Sequence, residues 1–380
     1  MSTHPLARIG QEGQSVWFDS ISRGMLNAGW LKQLVTDYSV VGVTSNPTIF
    51  EKAIAGSSDY DQAIEALSAD NLGVLAIYER LAADDIRAAC DLLLPVYERT
   101  GHQDGRVSME VNPYLATDTT ATIAEARRLW QMVDRPNLMV KIPGTPESIP
   151  AVEQAITEGL SINVTLLFAV SLYEQVMEAY LRGLERRVAA GQPIDQIHSV
   201  ASFFVSRVDT LIDKELEAKA AATSDTALQA RLLAMRGQAA IANAKVAYQA
   251  FLRVFSGPRW EALVAKGAQL QRPLWASTST KNPAYPDTLY IAELIAPNSV
   301  NTIPENALLA FADHGEVRGP TIAEGVASAE TLLAELALVG IDVVAITERR
   351  LVAEGVKSFI ASFDTLIAAI QQKCSVKQGA

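Results

Sequence analysis

The first chemically suggestive feature of this sequence is a lysine inside an apolar run that ends in Pro-Gly. In Asn137-Leu138-Met139-Val140-Lys141-Ile142-Pro143-Gly144 the amine sits among residues that a strand buries, whereas most other lysines lie in polar helical stretches. A desolvated ammonium is unfavourable, so a fully buried lysine tends toward a pKa lowered by as much as ~3–5 units, and the free amine can attack a carbonyl. A structural lysine paired with a carboxylate on a neighbouring strand fits the same position.

The ends of other apolar runs offer the partners that imine chemistry needs. Asp19 follows Val16-Trp17-Phe18, Glu110 lies in Val107-Ser108-Met109-Glu110-Val111, and Asn163 and Thr165 alternate within Ser161 to Leu166 so that both point one way. Forming a carbinolamine and an imine requires proton transfers, and retro-aldol cleavage needs a base on the leaving hydroxyl. Two separated carboxylates serve both steps. The structural alternatives are a salt bridge to Lys141 for Glu110, and for Asp19 the N-cap of a helix beginning near Gly24. Asn46, in Thr44-Ser45-Asn46-Pro47-Thr48, suits either a substrate hydroxyl or a plain Asn-Pro turn. Candidates for holding an anionic group are Ser202 and Arg207 in one run and Ser277 with Lys281 in another, since hydroxyls, backbone N–H groups and two cations can hold a phosphate. Arg207 has the alternative of pairing with Asp209 or Asp213, and Phe204 suits core or substrate wall.

Positioning these residues requires strands with a common end. Eight short apolar and β-branched segments recur, at Val16 to Asp19, Val40 to Thr44, Val107 to Val111, Leu138 to Ile142, Ser161 to Leu166, Ser199 to Val205, Pro273 to Ser277 and Val300 to Ile303. Helical stretches separate them, and several end in Pro or Gly turns. Two connections, Phe50 to Thr100 and Asp209 to Gln271, are long and helical in pattern. In the last helix, about residues 347–371, Val356, Phe359, Phe363, Ile367 and Ile370 share a face, and it is expected to close the barrel wall. Eight βα units predict an α/β fold, a single-domain (β/α)8 TIM barrel over residues 1–380 with helical insertions at about 50–100 and 209–271; an open doubly wound sheet is the alternative. In a barrel, the C-terminal strand ends share one mouth, where barrel enzymes place their chemistry.

Composition narrows the partners. The apolar fraction of 49% and charged fraction of 20% are those of a globular chain, and a net charge of −11 argues against nucleic acid, whose binding rests on neutralising phosphates. No apolar run approaches a membrane span, and the start MSTHPLARIGQEGQS lacks a signal-peptide core. With only Cys90 and Cys374, a reducing, cytoplasmic location is expected. The four histidines are scattered, and no GxGxxG, Walker or HExxH pattern occurs, so neither a dinucleotide nor a dedicated metal is expected. No feature specifies an oligomeric state.

Taken in order, Trp17-Phe18-Asp19, Thr44-Ser45-Asn46-Pro47, Ser108-Met109-Glu110-Val111, Val140-Lys141-Ile142-Pro143, Asn163-Val164-Thr165-Leu166-Leu167-Phe168, Ser202 to Arg207 and Trp275-Ala276-Ser277 resemble the transaldolase family, from about residue 16 to about residue 370. The longer bacterial members are the most similar. The resemblance implies a class I aldolase-like barrel that moves a dihydroxyacetone unit from sedoheptulose 7-phosphate or fructose 6-phosphate to glyceraldehyde 3-phosphate or erythrose 4-phosphate, without a cofactor. It implies an imine on Lys141, a C4-hydroxyl proton taken by Asp19, and carbinolamine protons handled by Glu110 with a water on Thr165. Asn46, Asn163 and Ser202 would hold donor hydroxyls, and Arg207, Ser277 and Lys281 the phosphate. Many members carry an arginine shortly after the equivalent of Ser277; here a slightly longer loop offers Lys281, a point charge without the bidentate fork. The rivals are a fructose 6-phosphate aldolase releasing free dihydroxyacetone, and a non-catalytic barrel subunit, which predicts loss of a lysine or carboxylate that this chain retains.

Overall fold

All eight expected strands form, and they pair in parallel in sequence order to close a barrel. The computed structural model describes residues 4–70 and 72–376; Met1 to Thr3, at the start of the N-terminal stretch considered above, lie outside the described residues. The strands are β1 (Gln14–Phe18), β2 (Gly42–Val43), β3 (Arg106–Glu110), β4 (Leu138–Pro143), β5 (Ile162–Leu167), β6 (Ser199–Phe204), β7 (Gln271–Ala276) and β8 (Ser299–Ile303). β1 closes on β8 in a register that runs from Gln14 opposite Ser299 to Phe18 opposite Ile303. An open doubly wound sheet is thereby excluded.

β2 is shorter than its apolar run predicts, and its glycine is required by a neighbour. The Trp17 indole lies where a side chain on Gly42 would be, with ring carbons 2.5 Å from an ideal Cβ position, so glycine admits the indole to the barrel interior. Trp17 is fully buried and donates from Nε1 to Asp104 Oδ1 at 3.0 Å. Asp104 also pairs with Arg272 at 2.9 Å, which fastens the end of the barrel where the strands begin, away from the mouth.

Both long connections are helical. Helices Pro47–Ala55, Asp61–Ala69 and Val74–Arg99 link β2 to β3; helices Ser206–Ala222, Thr226–Ala234, Ala239–Val254 and Gly257–Val264 link β6 to β7. Within the second connection two helices begin at polar residues, with Asp225 accepting from the N–H groups of Ala227 and Leu228 and Ser256 at the N-cap of Gly257–Val264.

The terminal helix, Leu351–Val376, corrects one expectation. It does not close the wall after β8; that place is taken by Glu305–His314, which packs on Pro5–Gln11. The terminal helix instead lies against Pro47–Ala55, Asp61–Ala69, Val74–Arg99 and the end of β5, on the mouth side of the barrel. Its amphipathic period revealed that one face is buried, and carried no information about which surface receives it. Phe363 meets Tyr78 and Tyr114 edge-on at 5.5 and 6.2 Å, and the Thr48 and Ser362 hydroxyls are 2.8 Å apart, so the helix is held across the top of the first strands.

Candidate active site

Parallel pairing places Glu110 opposite Lys141 and Lys141 opposite Asn163, so three polar residues form one row across β3, β4 and β5. The Lys141 ammonium is almost wholly buried, donates to the Ser45 carbonyl at 3.0 Å and lies 3.2 Å from Glu110 Oε2. The structural pairing considered for Glu110 is therefore real, and it puts a proton acceptor against the amine. Burial pushes the Glu110 carboxyl above the usual carboxylate range, and the charge of Lys141 only partly offsets this.

Lys141 opens onto a cavity of about 370 Å³ at the barrel mouth. Its wall includes Asp19, Asn46, Thr165, Ser202, Phe204, Arg207, Ser277 and Lys281, so eight further candidates from the sequence meet Lys141 in one space. Glu110 and Asn163 do not line it. Glu110 sits behind the amine, and Asn163 is fully buried beneath the floor, donating to Ser108 Oγ at 2.9 Å and accepting from Ser202 Oγ at 2.7 Å. Asn163 thus orients Ser202, which itself faces the cavity.

Asp19 just follows β1, its backbone N–H donating to Ile303 at 3.0 Å. It caps no helix: the helix Arg23–Asn27 begins at Ser22, whose side chain accepts from Met25. Thr44 Oγ1 donates to Asp19 Oδ1 at 2.6 Å, and the Thr302 and Thr44 hydroxyls are also 2.6 Å apart. Because Thr44 spends its proton on the carboxylate, Thr302 is the donor in the second bond, giving a relay Thr302 to Thr44 to Asp19. Loss of water around Asp19 raises its pKa, opposed by Lys141 and by the Thr44 hydrogen bond.

Thr165 Oγ1 faces the cavity, is buried, and has no hydrogen-bond partner, an atom suited to holding a water molecule. Just beyond it β5 is irregular: the register shifts between Val164 and Leu167, and Leu166 takes φ 60°. Ser277 after β7 takes φ 57°, and its hydroxyl is 2.8 Å from that of Ser206. Two non-glycine residues in the left-handed region, both beside the mouth, fit the tendency of backbone strain to gather at functional sites. Asn46 both caps and faces the cavity, its Oδ1 accepting from Ile49 at 2.9 Å, so the turn and the substrate assignments coexist.

Arg207 does not pair with Asp209 or Asp213. Those carboxylates accept from the backbone N–H groups of Ala240 and Gly237 and from the Tyr290 and Tyr285 hydroxyls. The guanidinium instead lies over Phe204 at 5.3 Å and Phe359 at 6.0 Å, with Lys141 Nζ 5.9 Å from the same Phe359 ring. Lys281 Nζ donates to Ser279 Oγ at 2.6 Å, and burial and the neighbouring charges of Arg207 and Lys52 lower its pKa.

Sequence reasoning missed Thr44, Thr302, Lys52, Ser279 and Phe359 as cavity residues. Thr44 and Thr302 could have been found as hydroxyls at strand ends, and Lys52 from its place one helical turn after Thr48. Phe359 carried no signal beyond its apolar face.

The family model described as Transaldolase/Fructose-6-phosphate aldolase matches residues 16–370. A protein of Acidothermus cellulolyticus named Transaldolase is 50% identical over 368 residues, covering 97% of this chain and 96% of the relative. One of Mycolicibacterium smegmatis with the same name is 50% identical over 372 residues, with 98% of each chain covered. Another, from Thermobifida fusca, is 48% identical over 369 residues, covering 97% and 98% respectively.

Proposed function

Because this chain belongs to the transaldolase/fructose-6-phosphate aldolase family and is a transaldolase, acting on sugar phosphates, we propose that Lys141 is its imine-forming nucleophile and that Asp19 and Glu110 divide the proton transfers. The observation that carries this assignment is a buried amine opening on the cavity, with one carboxylate 3.2 Å behind it and a second, Asp19, on the same cavity wall.

Lys141 Nζ attacks the ketose C2 carbonyl. Glu110, with a water on Thr165, moves protons at the carbinolamine as water leaves to form the imine. Asp19, ionised and held by Thr44, then takes the proton of the C4 hydroxyl while the C3–C4 bond breaks. The electron pair enters the imine system, giving an enamine on Lys141 and a free aldose phosphate. An acceptor aldehyde takes the enamine's electrons, Asp19 returns the proton, and hydrolysis frees Lys141. Asn46 and Ser202 hold donor hydroxyls, Asn163 orients Ser202, and Arg207, Ser277 and Lys281 hold the phosphate. Phe204 and Phe359 screen the charged groups from water. The donors are sedoheptulose 7-phosphate and fructose 6-phosphate and the acceptors glyceraldehyde 3-phosphate and erythrose 4-phosphate, a step of the pentose phosphate pathway.

No helix among the described residues is long and apolar enough to cross a membrane. The acidic net charge of −11 speaks against a nucleic-acid partner, and the two free cysteines favour a reducing, cytoplasmic compartment. Borohydride reduction with fructose 6-phosphate tests the nucleophile: a sugar-derived mass is expected on the peptide containing Lys141, and Lys141→Ala should lose trapping and transfer together. An adduct on Lys281, or trapping undiminished in correctly folded Lys141→Ala, rejects the assignment.

A further inference from the structure

We infer that Lys52 is a third phosphate-reading cation of this enzyme, acting with Arg207 and Lys281. The inference rests on the reading of the cavity as the sugar-phosphate site and adds a specificity residue to it.

The helix Pro47–Ala55 begins at Asn46, which caps it, and Asn46, Thr48, Ile49 and Lys52 all line the cavity. Asn46 and Ile49 are three residues apart and Thr48 and Lys52 four, the spacings that share a helix face, so the residues that orient this helix also aim Lys52 at the substrate. The face is fixed from outside as well, through Thr48 and Ser362 of the terminal helix. Lys52 is thus held on a braced wall.

In the loop after Ser277, Lys281 Nζ donates to Ser279 Oγ at 2.6 Å, which holds the ammonium beside the cavity. A lysine offers one compact charge where a guanidinium offers two parallel donors, so a second lysine strengthens the hold of Lys281 on a phosphate. Lys52 supplies that charge. Among the described residues none of Lys52, Arg207 and Lys281 forms an ion pair with a carboxylate, although 43 acidic residues give this chain an acidic balance and most of its arginines are paired. Burial, with the charges of Arg207 and Lys52, lowers the Lys281 pKa, and Asp19, the one carboxylate on the cavity wall among the described residues, offsets only part of the charge of the three cations, which a dianion would neutralise. A phosphoryl group meets that need.

The decisive measurement is acceptor selectivity. With sedoheptulose 7-phosphate saturating as donor, kcat/KM for glyceraldehyde 3-phosphate divided by that for D-glyceraldehyde is expected to fall about tenfold in Lys52→Ala, the low end for a lost hydrogen bond to a charged group, because the residue is exposed. The loss should fall on KM, and the inhibition constant of inorganic phosphate should rise with it. Lys52→Arg should restore much of the ratio. An unchanged ratio and an unchanged phosphate constant overturn the inference, as does an equal loss on both acceptors, which marks a merely structural role. Borohydride trapping at Lys141 separates the failures: absence of the Lys141 adduct in the wild type rejects the site itself, whereas a normal adduct with an unchanged ratio rejects only the role of Lys52.

Discussion

Thr44→Val should move the acid limb of the pH profile upward while leaving imine formation intact. Asp19 must be ionised to take the C4-hydroxyl proton, so kcat/KM falls as pH drops through its pKa. Burial already holds that pKa above the usual carboxylate range, and the Thr44 hydroxyl, 2.6 Å from Oδ1, is one of the groups that hold it down. A hydrogen bond to a charged group is worth about 1.5–3 kcal/mol, and one pH unit corresponds to about 1.4 kcal/mol, so complete loss would move the limb by about one to two units. Asp19 keeps some contact with water, which argues for the lower figure, about one unit. Valine matches threonine in shape, but it also removes the acceptor of the Thr302 hydroxyl, which adds to the effect without changing its sign. The assay is kcat/KM against pH between 5 and 9 for wild type, Thr44→Val and Thr44→Ser. Thr44→Ser keeps the hydroxyl and should follow the wild type. An acid limb that stays put in Thr44→Val, with folding verified, would refute the claim that Asp19 ionisation sets it.

The two carboxylates should fail differently. Asp19→Asn should accumulate the trapped donor adduct, because the imine forms but cleavage stalls, whereas Glu110→Gln should slow adduct formation itself; each should lower turnover by roughly 10²–10⁴-fold. Equal single-turnover trapping rates would contradict the division of roles. Asp19→Asn should also be more stable than wild type at neutral pH. A carboxyl with a raised folded pKa contributes stability that is complete below the unfolded value and lost as pH rises through the folded one, so thermal melts should diverge above the ordinary carboxylate range and converge in acid. Melts that diverge only in acid would reverse the sign.

What the sequence discloses here is set by how local the physics is. Lys141 stands out because a charge in an apolar strand conflicts with its neighbours, and the conflict is visible without a fold. Asp19, Glu110 and Thr165 stand out only once eight strands are counted and their ends are assigned to one mouth. The same reasoning misjudged the terminal helix, since a periodic apolar face has no address. Phe359 shows the consequence: its spacing identifies a buried ring, but only the helix's path over the strand ends puts that ring within 6.0 Å of both Arg207 and Lys141 Nζ. Thr44 and Thr302 were hidden for another reason. They lie far apart in the sequence, and their function exists only in the pair, where one hydroxyl gives its proton to the carboxylate and must receive from the next. A single site thus contains residues of three kinds: one betrayed by local conflict, several by topology, and a few by contacts between distant segments. The last kind adjusts the charge of Asp19 and surrounds Arg207, which are the terms on which turnover at a given pH and binding of a given phosphate depend.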